Sequence, residues 1–536
     1  MVVSALENQE ALLNAFREAL GNENVITDPA KRLEYATTTY RTDYAIPAIV
    51  LPGSTEEVQA CVRIANQFKA PIYPISTGLN YGYGSRVPTA DNCIILELSR
   101  MRRILDFNEE LGHVTVEPGV TQRQLYEFLG EKGSKLWMDA TGNTQDHSLV
   151  GNLAERGFGH TPYGDHFNNT GSMEVVLPNG DCIHTGMGRF ANAKAKGIYR
   201  WGVGPYLDGL FTQSNLGIIT QATIWLMPAP AYHEYVYFSF RHHDQIGEVI
   251  DLLRPLRLNG TIKSAIHIAN DYKVISSMQL YPWDQTGGAT PLSREYMDEA
   301  AKTWDFGAWN GYTSLCGTWL EVASAKRQIK KQLKGKVKRI AFLSPWLLKA
   351  AELAQKPYRM LTGINLPEML KVLKPIYHLT KGVPTDHFMD SVYWRMKEGV
   401  PAWKNPDLDG CGLLWCAPIT PIDGRHAAAI YAIILPIFAR HGFEPTMAIT
   451  LLTERALSCV ITISFDRTVP GEDGRALECH DQLLAELTVA GYYPYRLSTH
   501  AMDKLPPPEP AYAALLKSLK DALDPNGILA PGRYIR

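Results

Sequence analysis

Pro74-Ile75-Ser76-Thr77-Gly78-Leu79-Asn80-Tyr81-Gly82-Tyr83-Gly84 starts as an apolar strand and continues as a run too rich in glycine for helix or sheet. Glycines at 78, 82 and 84 let the backbone curl until several amide N–H groups point at one spot, a nest suited to a phosphate. A plain glycine-rich turn fits the same residues equally well, so the neighbourhood has to decide. Upstream, Ile49-Val50-Leu51 reads as a short strand turned by Pro52-Gly53. Ser54 and Glu57 form a capping box, and Val58, Cys61, Val62 and Ala65 recur at helical spacing. The order is therefore strand, capped helix, strand, glycine loop.

Downstream, a strand near Val114–Val116 leads through Pro118-Gly119 to a second capping box, Thr121 with Gln124, whose helix turns Leu125, Phe128 and Leu129 inward. Met173–Leu177 and Cys182–Thr185 flank Pro178-Asn179-Gly180-Asp181, a hairpin turn. Strand formers run from Ile218 to Met227. From about residue 231 helices and strands alternate with longer loops. Val236, Phe238 and Phe240 mark one strand face, and Ile246–Leu253 and Arg425–Ala439 read as helices. A last helix, Ala511–Leu523, stops at Asp524-Pro525-Asn526-Gly527.

With 536 residues the chain is too long for one ordinary core, so two domains are expected. Its 53 Lys plus Arg against 55 Asp plus Glu offer no handle for nucleic acid or an anionic membrane. No apolar run approaches the roughly 20 residues of a membrane span. The N-terminus, with Glu7, Glu10, Leu12, Leu13, Phe16 and Leu20, reads as an acidic amphipathic helix without the features of a signal peptide. Eight scattered cysteines with no Cys-x-x-Cys pair suit a reduced, cytoplasmic protein. No Gly-x-Gly-x-x-Gly dinucleotide fingerprint, Walker lysine loop, His-Glu-x-x-His or Gly-x-Ser-x-Gly elbow occurs, so kinase, metal-hydrolase and serine-hydrolase chemistry lose support and no metal is expected.

The series continues with Gly151-Asn152-Leu153-Ala154-Glu155-Arg156-Gly157, Tyr163-Gly164-Asp165-His166, Asp208-Gly209-Leu210-Phe211-Thr212-Gln213-Ser214-Asn215-Leu216-Gly217-Ile218 and Asp524-Pro525-Asn526-Gly527-Ile528-Leu529-Ala530-Pro531-Gly532. Taken together it resembles the vanillyl alcohol oxidase / p-cresol methylhydroxylase family of FAD enzymes, which includes eugenol oxidase and eugenol hydroxylase. The likeness is most specific over 74–228 and 495–535, and weaker over 260–490. It implies an α+β, two-domain fold: an FAD-binding domain of residues 1–230 completed by 495–536, and an inserted α+β substrate (cap) domain of residues 231–494. Under that fold Pro74, Ser76, Gly78, Leu79, Asn80, Tyr81, Gly82, Gly151, Asn152, Arg156 and Gly157 would hold the pyrophosphate and the region near the isoalloxazine. Asn215, Gly217 and Ile218 would line the adenosine side, and Arg533 would lie near the flavin.

The resemblance also implies a substrate clamp. Loss of hydride from a benzylic carbon is easier when a para hydroxyl is ionised, because the phenolate pushes electrons toward the departing hydride and leaves a p-quinone methide. A free phenol has a pKa of about 10, so donors and a fixed cation must stabilise the anion. Tyr83, Tyr495 and Arg496 match the family's two tyrosines and arginine. The implied function is FAD-dependent oxidation or hydroxylation of para-substituted phenols, lignin-derived ones among them. Dioxygen or a c-type cytochrome would be the electron acceptor, and the chain would form a homodimer or higher homo-oligomer. Alternatives are a flavoenzyme for a non-phenolic alcohol or sugar, and a flavin-binding protein with a dead site.

The sequence also departs from the family. Between Val400 and Pro418, ahead of Leu413-Leu414-Trp415-Cys416-Ala417-Pro418, there is no tyrosine or histidine to attach FAD covalently. Non-covalent FAD, a weaker oxidant, is expected, with Cys411 a buried structural thiol. Ser458-Cys459 replaces the family's His-His pair, and Asn143 replaces an acidic residue near flavin N5, with Asp139 and Asp146 close in sequence. His147 and His166 are the candidate replacement bases.

Overall fold

The computed structural model describes residues 2–353 and 366–535. The opening unit forms as its apolar periodicity predicts. Ile49–Val50 and Ile72–Ile75 both lie parallel to Ile94–Glu97 between them, and Val25–Ile26 closes the far edge antiparallel. The helix Thr55–Phe68 carries the crossover and buries Val58, Cys61, Val62 and Ala65. The N-terminal helix Val2–Leu20 packs on it through Leu12, Leu13, Phe16 and Leu20.

Both expected capping boxes are half made. Ser54 and Thr121 accept the amides of Glu57 and Gln124. However, Glu57 Oε2 takes the amide of Gly53, and the Gln124 amide donates to the carbonyl of Arg102. In each case the returning side chain ties down a preceding segment rather than the cap residue itself.

A five-stranded antiparallel sheet follows, in the order Ile104–Asn108, His113–Val116, Ile218–Trp225, Thr170–Val176, Cys182–His184. The far C-terminus returns to the first sheet. The Ile72 amide donates to the Ile528 carbonyl, and the Ala530 amide donates to the Ile72 carbonyl. Asp524, buried after the helix Pro510–Leu523, accepts the amides of Ile528 and Leu529 and pairs with Lys520 Nζ at 2.7 Å.

The middle of the chain builds an antiparallel sheet of eight strands. Its order is Arg339–Leu343, Tyr232–Phe240, Trp309–Gly317, Ile266–Asn270, Thr446–Leu451, Ala456–Asp466 and Cys411–Cys416, with Ile419–Pro421 beside Ala456–Asp466. Alternation divides its faces. Val236, Phe238, Ile266, Ile268, Leu414, Cys416, Met447, Ile449, Cys459 and Ile461 join one core. Four helices cover that core: Ile246–Leu258, Trp319–Leu333, Gly424–His441 and Glu472–Val489. The intervening positions, among them His267, Tyr312, Trp415, Thr450, Ser458 and Thr462, form the opposite face. It meets the first half of the chain: His160 stacks on His267 at 4.3 Å, and the Trp415 indole donates to the Tyr81 carbonyl.

Asp524→Ala is expected to destabilise the fold by about 3–5 kcal/mol, because it strands the buried Lys520 ammonium and two amides. A lowered midpoint in urea unfolding, with early proteolysis of the tail, checks this.

Candidate active site

Pro74, Ser76, Gly78, Leu79, Asn80, Tyr83, Gly151, Asn215, Gly217, Ile218, Arg496 and Arg533 line one cleft of about 1040 Å³, its open mouth included. It lies at the carboxyl end of the strand Ile72–Ile75, where parallel sheets present their ligand crevice. Gly78, Gly82 and Gly84 have φ of 70°, 75° and 115°, the left-handed region that favours glycine. Among the described residues no protein acceptor takes the amides of Thr77, Gly78, Leu79 or Asn80. A Cβ on Gly151 would strike the Ser76 hydroxyl, so only a bare backbone keeps this wall open. Asn215 Oδ1 and His147 Nε2 also border the cleft, buried and without partners. Free amides, an unpaired acceptor and a histidine nitrogen suit a long ligand that carries both phosphate and heterocyclic groups, as FAD does.

Five residues expected at the cofactor do not line this cleft. Tyr81 turns into an apolar cluster with Met389, Val392, Tyr393 and Leu413. Gly82 lies under Trp415, whose ring fills the space a Cβ would need. Asn152 accepts from His166 Nδ1 at 2.5 Å. The amide of Asn152 occupies the position of a Gly157 Cβ. Arg156, exposed and at φ 51°, donates to Thr212. These residues shape the wall from behind, because the side chains of a tight loop alternate between ligand and core.

The three residues named for a clamp meet. The Arg496 guanidinium lies 4.3 Å from the Tyr83 ring centroid, and its charge acts on the neighbouring Tyr495 hydroxyl; Tyr83 and Arg496 line the cleft, whereas Tyr495 does not. Arg496 also donates to Asn80 Oδ1. Burial pushes the Tyr83 hydroxyl well above its ordinary range, the neighbouring Tyr495 adds to this, and Arg496 opposes it. Burial likewise raises Tyr495 against the pull of Arg496. Both hydroxyls therefore stay protonated near neutral pH and are available as donors.

Sequence reasoning missed Glu155, although it stands inside the quoted 151–157 segment. Its carboxylate pairs with Arg533 and accepts from the Tyr534 hydroxyl at 2.9 Å, and Arg496 Nε lies 3.4 Å away. Burial favours the neutral acid, yet Arg533 and Arg496 together hold Glu155 below the usual carboxylate range. Two guanidinium groups thus share one carboxylate, which leaves one positive charge facing the cleft. A lone acidic residue at the end of a glycine-containing helix, Leu149–Ala154, was the available clue.

The substitutes for the family's acid–base groups separate clearly. His166 uses both ring nitrogens, one on Asn152 and the other on Asp139 Oδ2 at 2.7 Å, so it is a structural brace. Asp139 also accepts the amides of His160 and Thr161, and Asp146 pairs with Arg123 at the surface. Asn143 donates to the Leu79 carbonyl and lies 3.2 Å from His147 Nδ1, just behind the glycine loop. Burial and the nearby Arg496 charge bring His147 down to about 3, so it is a neutral imidazole with Nε2 free at the cleft. Cys411 is walled in by the Tyr81 cluster, and burial raises its thiol. Cys459 lies in the helix-covered core, while Ser458, on the opposite sheet face, has no partner for its hydroxyl. Among the described residues, His480, Asp481 and His500 have metal-like spacing, but Lys504 Nζ already sits 2.5 Å from Asp481 and supplies the positive charge there. No helix among the described residues is long and apolar enough to cross a membrane.

A nest of free amides beside a buried tyrosine–arginine pair defines the class as a flavoprotein. In agreement, the FAD binding domain family matches residues 46–186. The chain is 44% identical to 1'-carboxy-chondrochloren decarboxylase of Chondromyces crocatus, over 98% of this chain and 97% of that protein. It is 33% identical to the 4-cresol dehydrogenase [hydroxylating] flavoprotein subunit of Pseudomonas putida, over 97% and 94%. The crystal structure of p-cresol methylhydroxylase with substrate bound superposes with a TM-score of 0.88 at 31% identity, over 98% and 97% of the two chains. The chain belongs to the p-cresol methylhydroxylase / vanillyl alcohol oxidase family and is an FAD-dependent oxidoreductase.

Gly78→Val places a β-branched residue at φ 70° and a Cβ 2.5 Å from Arg86 Cγ. The purified variant is expected to carry little or no FAD, read as the flavin-to-protein absorbance ratio.

Proposed function

We propose that this enzyme oxidises a para-substituted phenol at its benzylic carbon through a p-quinone methide. The observation that carries this reading is the Arg496 guanidinium over the Tyr83 ring at the cleft wall, with Tyr495 close enough to feel the same charge. In our reading residues 1–230 with 495–536 bind the cofactor and residues 231–494 roof the substrate. When bound, the flavin supplies the hydride acceptor at N5. Tyr83 and Tyr495, held protonated by burial, donate hydrogen bonds to the phenolic oxygen, and Arg496 supplies the charge that favours its ionisation. Glu155 keeps Arg496 and Arg533 close together in a buried site. The positions of Asn143 and Ser458-Cys459 leave no carboxylate or histidine pair at the family's usual places, so a water or the substrate itself takes the side-chain proton. The missing tyrosine or histidine over 400–418 supports non-covalent FAD. We also infer a cytoplasmic homodimer that passes electrons to dioxygen or a c-type cytochrome.

The 44%-identical decarboxylase favours a second outcome for the same oxidation. If the carbon next to the benzylic position bears a carboxylate, that group can leave the quinone methide as CO2. Its bonding pair becomes a C=C bond while the ring returns to phenolate, which balances charge and electrons.

Anaerobic mixing with 4-alkylphenols and 3-(4-hydroxyphenyl)propanoates is expected to bleach the flavin. Tyr83→Phe or Tyr495→Phe should slow bleaching by about 10²–10³-fold, and Arg496→Lys should do so at least as much. Unaltered rates in all three variants would remove the clamp. Acid precipitation should release the flavin into the supernatant, and colour retained in the pellet would overturn non-covalent binding.

A further inference from the structure

Lys273 is a half-buried cation with no counter-charge among the described residues. It sits on the short helix Asp271–Ser276, which follows the central strand Ile266–Asn270 of the eight-stranded sheet. Its Nζ lies 3.5 Å from Ser391 Oγ and 5.5 Å from the centre of the Trp415 ring. Burial lowers it to about 8, and no neighbouring charge offsets that effect. Other buried cations here are compensated. Arg395 pairs with Glu444 and Glu472, Lys520 with Asp524, Lys326 with Glu234, and Arg496 and Arg533 with Glu155. Arg257 and Arg200 have no carboxylate partner but are held by hydrogen bonds, Arg257 to the carbonyls of Leu451, Leu452, Ile262 and Lys263 and Arg200 to Asn168 and the Tyr206 hydroxyl. An ammonium that lacks both solutions is costly unless an anion joins it.

The placement of Lys273 says which anion. Trp415 lies on the sheet face opposite the helical core. Its indole donates to the Tyr81 carbonyl and packs against Gly82. Tyr83 is the next residue of that loop. Lys273 thus stands across one indole ring from the loop that carries a clamp tyrosine. Ser391 belongs to the segment His387–Tyr393, which packs over the same loop through Met389 and Val392. Both Lys273 and Trp415 keep part of their surface accessible, so a ligand can reach them.

We propose that Lys273 binds a carboxylate on the para side chain of the substrate, so that the enzyme takes 4-hydroxyphenyl compounds that are anionic at both ends. This rests on the phenol reading above and deepens it: the clamp holds the ring oxygen, and Lys273, with Ser391 beside it, holds the side chain. Lys273 is a positioning residue for the group that the second outcome would release.

The test is equilibrium binding to the FAD-loaded enzyme by titration calorimetry. The ligands are 4-tert-pentylphenol and 3-(4-hydroxyphenyl)-3-methylbutanoate, in which the terminal methyl is replaced by carboxylate. Neither has a benzylic hydrogen, so nothing is oxidised during the measurement. The wild type is expected to bind the carboxylate at least about tenfold more tightly than the neutral phenol, as a charge-assisted contact implies. Lys273→Met should abolish that preference while leaving affinity for 4-tert-pentylphenol within about twofold, and Lys273→Arg should restore part of it. If the wild type binds 4-tert-pentylphenol but shows no preference for the carboxylate, the proposal for Lys273 is wrong and the phenol reading stands, whatever the variants do. Equal losses for both ligands in Lys273→Met would likewise reduce Lys273 to a packing role. If neither ligand binds the wild type, the phenol reading itself falls, and the Lys273 proposal falls with it.

Discussion

A carboxylate shared by two arginines organises this molecule. Glu155 stands where the helix Leu149–Ala154 ends, and it gathers Arg496, Arg533 and the Tyr534 hydroxyl. Those three partners come from a tail more than 300 residues later in the chain. The pairing closes the cleft, because the tail cannot leave without stripping the largely buried Glu155 carboxylate of both guanidinium partners. It also sets the electrostatics, since one positive charge remains for an anion in the cleft.

The large sheet depends on the same closure. Its helix-covered face is an ordinary apolar core, while its other face is lined with His267, Tyr312, Thr450, Trp415 and Thr462. That face would be a poor surface to leave in water or in a dry core. Turned toward the glycine loop, it becomes a roof with polar atoms to spare: the hydroxyls of Ser458 and Thr462 and Nε2 of His267 are buried without partners. Such atoms are expensive in a purely structural layer and useful in a layer that meets a substrate.

Local patterning made most of the elements legible. The capped helix after Ile49–Val50, the hairpin around Asn179-Gly180 and the strand carrying Val236, Phe238 and Phe240 follow from periodicity and turn chemistry, which act over a few residues. The spacing Gly78, Gly82, Gly84 announced a loop open to a phosphate because only backbone freedom was needed to read it. Tyr83, Tyr495 and Arg496 were legible as a set only through resemblance, since nothing local joins residue 83 to residue 496.

What the sequence alone determined is thus the set of short-range decisions: where strands begin, where helices are capped and where glycine must stand. Only the folded chain decided which side chains of the glycine loop face the cleft, why Glu155 is charged in a buried place, that His166 is a brace while His147 keeps a free nitrogen, and that Lys273 has no counter-charge among the described residues. The physical reason is range. Propensity and turn geometry operate between neighbours, whereas desolvation and Coulomb forces depend on every group within a few ångströms, and those groups come from distant parts of the chain.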